Sequence, residues 1–285
     1  MSTPAEPTPA AIKKPARCRF RSAGAVLAIA LGAIITDGAR RTPADATKPV
    51  PWVGSSSPNV TTTPRLRIAT FNIHSGRGRD RKMDLARTAS VLDPESPDIV
   101  GLNEVRGTFD ESMWPDQAAE LGKRLGMKSA FLPTERRWWH DHFGNALLTR
   151  IPIRQVHRIP LVGTRGKAYR SATLAQFEFQ NKTVQLVSVH IDSQSDREVE
   201  LRAVISLFLG LQSPALLIGD LNSIPEDSQL QELLTHPDVI DALRDVKGHR
   251  IDWILVRGFK CTTSRQIETD ASDHPAAIAE LELID

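Results

Sequence analysis

The chain is 285 residues long, 40% hydrophobic and 25% charged, an ordinary globular composition with room for one large domain or two small ones. Its formal charge of +2 conceals an asymmetry: residues 1–65 carry nine Lys/Arg against three Asp/Glu, about +6, while the remainder is about −4. That balance argues against a strongly basic nucleic-acid-binding face, and the two cysteines, Cys18 and Cys261, form neither a disulfide framework nor a Cys/His cluster of zinc spacing.

From the N-terminus, Lys13, Lys14, Arg17, Arg19 and Arg21 precede an apolar stretch from Ala23 to Ile35. A basic flank before a short hydrophobic segment resembles a secretory signal, and Ala44-Asp45-Ala46 offers a small-x-small cleavage site, although far beyond the apolar run. Because that site lies so far along, an uncleaved membrane anchor competes with this reading, although the run is short of the about 20 apolar residues of a bilayer span, and so does a disordered Ala-rich tail. The expectation is therefore export or anchoring at the outer face of the cytoplasmic membrane, or a cytoplasmic location if the segment is no targeting signal. Residues 1–39 are assigned to this segment. Residues 40–65, with Pro43, Pro49, Pro51, Pro58 and Pro64 and the runs Ser55–Ser57 and Thr61–Thr63, read as an extended linker.

Residues 66–285 alternate strands with helices. Leu66–Phe71 is a strand running into Asn72, and Met83–Leu92 has apolar residues near helical spacing, stopped by Pro94 and Pro97. Asp98–Leu102 is a strand ending in Asn103 and Glu104. Trp114–Leu125 is a helix closed by Gly126. Asn145–Leu148 is a strand broken at Ile151-Pro152. Ser171–Phe179 and Thr183–His190 form a hairpin turning near Gln180-Asn181-Lys182. Arg197–Leu211 is the clearest helix, with Val199, Leu201, Val204, Ile205, Phe208 and Leu209 inward, and Gln229–Leu234 is a short one. Leu216–Ile218, Arg250–Val256 and Ala276–Leu283 are the last strands.

Chemistry concentrates at the strand ends. Leu216–Ile218 stops at Gly219 and then presents Asp220 and Asn222, which in continued strand geometry share a side. A carboxylate there can orient water or bind a hard cation, and a carboxamide can hold an anionic oxygen. Other apolar runs end or begin with Asn72, Asn103-Glu104, His190 with Asp192, Asp252, and Ser272-Asp273-His274. Singly each is weak, because Gly, Asp and Asn all favour turns.

Jointly, Thr70–Ile73, Asp98–Val105, Gly144–Leu148, Ser188–His190, Gly219–Asn222, Ile251-Asp252 and Ser272–His274 resemble, in order, the endonuclease/exonuclease/phosphatase superfamily of metal-dependent phosphoesterases. Asn103 departs from the pattern, since relatives more often carry Gln before the metal-binding Glu. The resemblance implies a four-layer α-β-β-α sandwich of two packed, mostly antiparallel sheets flanked by helices. It implies a monomeric catalytic domain whose cofactor is Mg²⁺, or Mn²⁺. Glu104, Asn72 and Asp273 are the implied metal residues, with Asn72, Asn145 and Arg170 near the phosphate. His190, Asp220, Asn222, Asp252 and His274 are the implied catalytic set: Asp220 activating water, Asn222 holding a phosphate oxygen, and Asp252 orienting His274 by a carboxylate–imidazole hydrogen bond. Arg170 is alternatively a surface arginine.

The expected activity is hydrolysis of phosphate esters, by a phosphodiesterase or nuclease-like enzyme. A lipid phosphodiesterase or phosphatase is the alternative, and a non-catalytic binding protein is disfavoured by intact chemical positions. Arg77, Arg79, Arg81 and Lys82, and the loop Arg136–His142 with Trp138-Trp139, are placed at the rim. There arginines could grip phosphates and the tryptophans could stack on bases, meet a lipid interface or pack under a loop.

Overall fold

The structure is a computed structural model, and it describes residues 20–54, 64–108, 116–162, 168–248 and 250–284. The basic residues 13–19, Cys18, Trp114 and the Ser55–Ser57 and Thr61–Thr63 runs lie outside the described residues. The chain divides into two units, Met1–Arg40 and Arg41–Asp285. The first contains helix α1 (Phe20–Ala39), which includes the apolar stretch. Among the described residues no helix is long and apolar enough to cross a membrane.

In the second unit the elements follow as β1 (Thr42–Pro43), β2 (Leu66–Asn72), α2 (Leu85–Leu92), β3 (Ile99–Arg106), α3 (Gln117–Leu125), β4 (Lys128–Arg137), β5 (His140–Thr149) and β6 (Ile153–Pro160). Then come β7 (Ser171–Phe179), β8 (Lys182–His190), α4 (Arg197–Gly210), β9 (Ala215–Asp220), α5 (Ser228–Leu234), β10 (Ile240–Asp241), β11 (Asp252–Arg257), β12 (Phe259–Ile267) and β13 (Ala276–Leu283). One sheet has seven strands in the order β1-β4-β5-β3-β2-β13-β12, and the other has six in the order β10-β11-β9-β8-β7-β6. Each contains one parallel pair, β2–β3 and β8–β9, whose connections run through α2 and α4. Parallel neighbours require such a crossover, and the remaining pairs are antiparallel.

Three apolar clusters define the layers. Leu66, Ile68, Phe177, Leu186, Leu216 and Ile254 meet between the sheets. Phe71, Leu102 and Leu148 pack outward against Leu85, Ala89, Leu121 and Leu125 of α2 and α3. Val187, Leu217 and Trp253 pack against Leu201, Val204, Phe208, Leu230 and Leu233 of α4 and α5. Central strands are thus apolar on both faces, which is why they read as continuous runs. The architecture is the expected four-layer sandwich.

Local differences have local causes. Helix α2 starts at Leu85 because the Asp84 side chain accepts the Arg87 N–H and caps it, and Asp116 caps α3 through the Ala119 N–H. Val199 is exposed, not inward. In α4 the row Glu200, Val204 and Phe208 recurs every four residues, so buried Glu200 occupies the inward face instead. The strands β4, β6 and β12 were not expected. β6 and β12 are edge strands carrying many exposed polar residues, and Pro133 interrupts β4.

Part of the expected linker belongs to the domain. Thr42 and Pro43 pair with Arg136 and Glu135, and Val53 bridges Ser129. The Arg158 guanidinium donates to the carbonyls of Asp45 and Lys48, while Val50 and Trp52 pack against the inter-sheet core. The domain therefore begins near Arg41 rather than Leu66.

Candidate active site

The parallel pairing of β8 with β9 and the antiparallel pairing of β9 with β11 set His190, Asp220 and Asp252 side by side across three strands. In the facing sheet Asn72 and Asn103 are register partners on β2 and β3. These two rows meet at one end of the sandwich. Gly219 makes the approach possible: its φ is +135°, and a Cβ there would lie 1.8 Å from the Val189 carbonyl oxygen, so no other residue fits.

Asn103 joins the sheets. Its Oδ1 accepts the Asp220 N–H at 3.1 Å, and its Nδ2 donates to Asn145 Oδ1 and to the Val189 carbonyl, each at 3.1 Å. Asn145 is buried beneath the site as support for Asn103. Glu104, the next residue, has φ +58° and sits where the β3–β5 register slips between Leu102 and Val105. A bulge re-aims a side chain, and the Glu104 carboxylate consequently accepts from Asn72 Nδ2 at 3.3 Å.

Asp220 is the hub. Its Oδ1 accepts the Asn222 N–H at 2.8 Å, and its Oδ2 accepts from Asn72 Nδ2 at 3.1 Å. His190 Nε2 lies 3.4 Å and His274 Nε2 3.8 Å from the same Oδ2. Burial, and then the neighbouring Asp252 charge, push the Asp220 carboxyl up to about 7 against the opposing effect of His274. Strand β9 ends at Asp220, and Asn222 turns left-handed at φ +44°, so strand alternation does not place it. Asn222 reaches the site through a turn in which its Nδ2 donates to the Ile191 carbonyl at 2.9 Å.

The two histidines are electrostatic opposites. Arg170 donates to His190 Nδ1 at 3.0 Å. A guanidinium only donates, so Nδ1 is the acceptor and the proton of the neutral ring sits on Nε2, facing Asp220. Burial, reinforced by Arg170 and His274, holds the His190 pKa well below the usual range. The contact with Asp220 is therefore that of a neutral imidazole with a carboxyl group, not an ion pair. His274 Nδ1 donates to Asp252 Oδ2 at 2.8 Å. Burial opposes its charge, but that hydrogen bond and the carboxylates of Asp252, Asp220 and Asp273 outweigh it and raise His274 to about 9. At neutral pH the site holds one neutral and one charged imidazole.

Two residues join the site that the sequence reading did not single out. Ser272 Oγ donates to the Asn72 carbonyl at 2.7 Å and accepts the His274 N–H at 3.3 Å, tying the His274 loop to β2. His74 has φ +47° and takes its turn from Asn72 Oδ1, which accepts its N–H at 3.1 Å. Its Nδ1 lies 3.5 Å from Asp273 Oδ1. The signal for Ser272 was its place beside Asp273-His274; His74 carried none beyond its distance of two residues from Asn72.

Donor chemistry supports metal binding. Asp220, Asp252 and His274 offer ligand atoms that all lie within 4.8 Å of one another, a set that could hold a metal ion. The buried Asp252 Oδ1 has no hydrogen-bond partner among the described residues and is available to a cation. Glu104, which accepts from Asn72, and Asp273, beside His74, are further oxygen donors. In this geometry Asn72 gives its Oδ1 to the His74 N–H and its Nδ2 to the carboxylates.

Residues 69–274 match the model of the Endonuclease/Exonuclease/phosphatase family. The chain belongs to this family. Solved structures agree on the endonuclease/exonuclease/phosphatase fold. The protein of that family from Beutenbergia cavernae is 23% identical over 77% of this chain and 72% of its own, with a TM-score of 0.64. The D. rerio TDP2 structure, complexed with single-strand DNA product, is 19% identical over 76% of this chain and 99% of its own, with a TM-score of 0.60. The human Nocturnin catalytic domain with bound sulfate is 17% identical over 82% of this chain and 98% of its own, with a TM-score of 0.59.

Proposed function

We propose that the protein is a metal-dependent hydrolase of phosphate diesters, in which a water activated at Asp220 attacks phosphorus. The observation that carries this reading is the convergence of His190 and His274 on a single Asp220 oxygen, one ring neutral and the other charged. A buried carboxyl with a pKa near 7 is matched to taking a proton from water at neutral pH. His274 spends its Nδ1–H on Asp252, which leaves the Nε2–H of the imidazolium turned into the site. There it stabilises the charge that builds on the phosphate oxygens. His190 donates from Nε2 beside it, with Arg170 fixing that tautomer. Asn222 frames the Asp220 carboxylate, and Asn72 spaces it from Glu104.

A divalent ion, Mg²⁺ or Mn²⁺, would be held by Glu104 with Asp273, since a His274 that keeps both ring protons offers no lone pair to a metal, and would neutralise phosphate charge. The basic residues before α1 and its apolar sequence support export or membrane anchoring as part of the proposal.

The test is turnover of bis(p-nitrophenyl) phosphate by the purified full-length chain. Hydrolysis with Mg²⁺ or Mn²⁺ that disappears in chelator, and near-abolition in Asp220→Ala and His274→Ala with folding intact by circular dichroism, is the expected result. Full turnover in chelator or in either variant overturns the mechanism.

A further inference from the structure

The acidic balance of the domain hides a cationic corner beside the catalytic site. Strands β1, β4, β5 and β3 lie adjacent, in that order, and at one end bring together Arg41, Arg137, His142 and Arg106. Gly107, next to Arg106, donates to the His142 carbonyl at 3.1 Å. These groups sense one another. Burial, then Arg77, Arg137 and Arg41, lower the Arg106 pKa, while Glu104 opposes them. Burial, then Arg106, Arg137, His140 and Arg41, hold His142 down to about 4. Two carboxylates answer part of this charge: Glu135 lies 3.8 Å from Arg41, and Asp141 lies 3.5 Å from Arg136. Arg137 Nε is buried with no hydrogen-bond partner among the described residues. Like charges gathered in this way, with Glu104 of the site within their field, suit an anion with several phosphates.

The tip of the same β4–β5 hairpin is a two-residue turn made of Trp138 and Trp139, with φ of +53° and +65°. Such a turn demands left-handed backbone at both positions and ordinarily takes Asn-Gly. Two bulky aromatics there are strained, and strain of this kind collects at functional sites. The turn is pinned: Arg136 donates to the Trp139 carbonyl at 2.6 Å, and His140 Nδ1 donates to the Trp138 carbonyl at 2.7 Å. The two rings meet edge to face, with centroids 6.1 Å apart and planes at 73°, and Trp139 remains 57% exposed. One exposed ring on a turn whose backbone is pinned offers a flat face for stacking.

We propose that the Trp139 platform and the Arg137–Arg106 corner form an extended subsite that holds a single nucleic-acid strand, one base on the indole and its phosphates along the arginines, as that strand enters the site at Asp220. Alternating planar bases and phosphates match an aromatic platform followed by cations. This inference rests on the phosphodiesterase reading above for the site that the strand enters.

The test uses the full-length protein with a short fluorescein-labelled oligothymidylate, read by anisotropy in chelator. Turnover of the same oligonucleotide and of bis(p-nitrophenyl) phosphate is then measured with Mg²⁺. Trp139→Gly keeps the left-handed turn without strain and removes the ring; Arg137→Gln removes a charge. Each is expected to weaken oligonucleotide binding about tenfold and to leave small-diester turnover unchanged. Arg137→Gln should also reduce the salt slope by about one. The proposal is overturned if the wild type does not bind the oligonucleotide at low salt, or if both variants bind it as the wild type does. It is equally overturned if Trp139→Gly instead loses binding to phosphatidylglycerol vesicles while keeping the oligonucleotide, which would assign the tip to a membrane. Absence of all diester turnover in the wild type would defeat the phosphodiesterase reading, while the binding arm in chelator would still judge the subsite.

Discussion

His274 Nδ1 donates to Asp252 Oδ2 at 2.8 Å, across 22 residues of sequence. Asp252 opens β11, whose first register partner is Asp220, so one strand pairing sets the histidine's partner beside the residue the histidine serves. Asp252 consequently acts on two groups with opposite results. Its charge is part of what raises Asp220, and it helps to hold the proton on His274.

Asp252→Asn should therefore lower the pKa of His274 while keeping a hydrogen-bond acceptor near its Nδ1. The expected loss of kcat is about 100-fold at neutral pH, within the range attributed to one proton-handling group. The falling limb of the rate profile should move towards neutral. Diester turnover across pH checks both, and a variant with wild-type rate and an unmoved limb would show that the pair is only structural.

On the proposed mechanism, Asp220 must be ionised to accept a proton and His274 must be charged to stabilise phosphate. With the first raised to about 7 and the second to about 9, kcat/KM should climb as pH rises through about 7 and decline above about 9. Steady-state kinetics on the small diester give this profile directly. A flat response across neutral pH would remove Asp220 as the base.

The candidate row was legible because each member ends or opens an apolar run, and a buried strand announces its own end. Asp220, His190, Asp252 and His274 all carry that signature, and the sandwich followed from the family their order resembles. What sequence could not show depends on partners distant in the chain. The aim of Glu104 comes from a bulge against β5 and φ +58°. The docking of residues 42–53 depends on β4 offering an edge, although their prolines and small residues read as linker. The cationic corner arises when four strands are laid side by side, and the domain's net charge conceals it. Val199, expected inward, is exposed and Glu200 is buried, because the row Glu200–Val204–Phe208 sets the inward face of α4 and hydrophobicity alone does not choose it.

Asn103 is the only described side chain that hydrogen-bonds to β9, β8 and β5 together. Asn103→Ala would leave the Asp220 N–H, the Val189 carbonyl and Asn145 Oδ1 short of a partner. Buried groups left so cost ~1–3 kcal/mol each, partly relieved by entering water. The expected destabilisation is about 2–4 kcal/mol, seen as a lower urea midpoint with unchanged slope. Turnover of the folded variant should also fall, because the backbone that carries Asp220 has lost its tie to the facing sheet. Unaltered stability would show that Asn103 is not what joins the sheets here.

Glu200 gives a prediction about stability rather than rate. It is fully buried on α4, and its Oε2 accepts the Asp192 N–H at 2.6 Å while Oε1 has no partner among the described residues. Burial raises its pKa to about 7 from 4.5; the Asp192 N–H and Arg170 oppose the shift, and the charges of Asp192 and Asp196 add to it. A folded-state pKa above the unfolded one means that the native protein binds the proton more tightly. Stability from this group is complete below about 4.5, falls as pH rises towards about 7, and levels off above it. The full difference is on the order of 3 kcal/mol. Glu200→Gln preserves the acceptor for the Asp192 N–H and removes the titration. Urea unfolding should find the two proteins similar in acid, with the variant the more stable by up to ~3 kcal/mol at mildly alkaline pH. If the wild type is the more stable there, Glu200 is held ionised in the fold and its charge contributes to the arrangement of Arg170 behind His190.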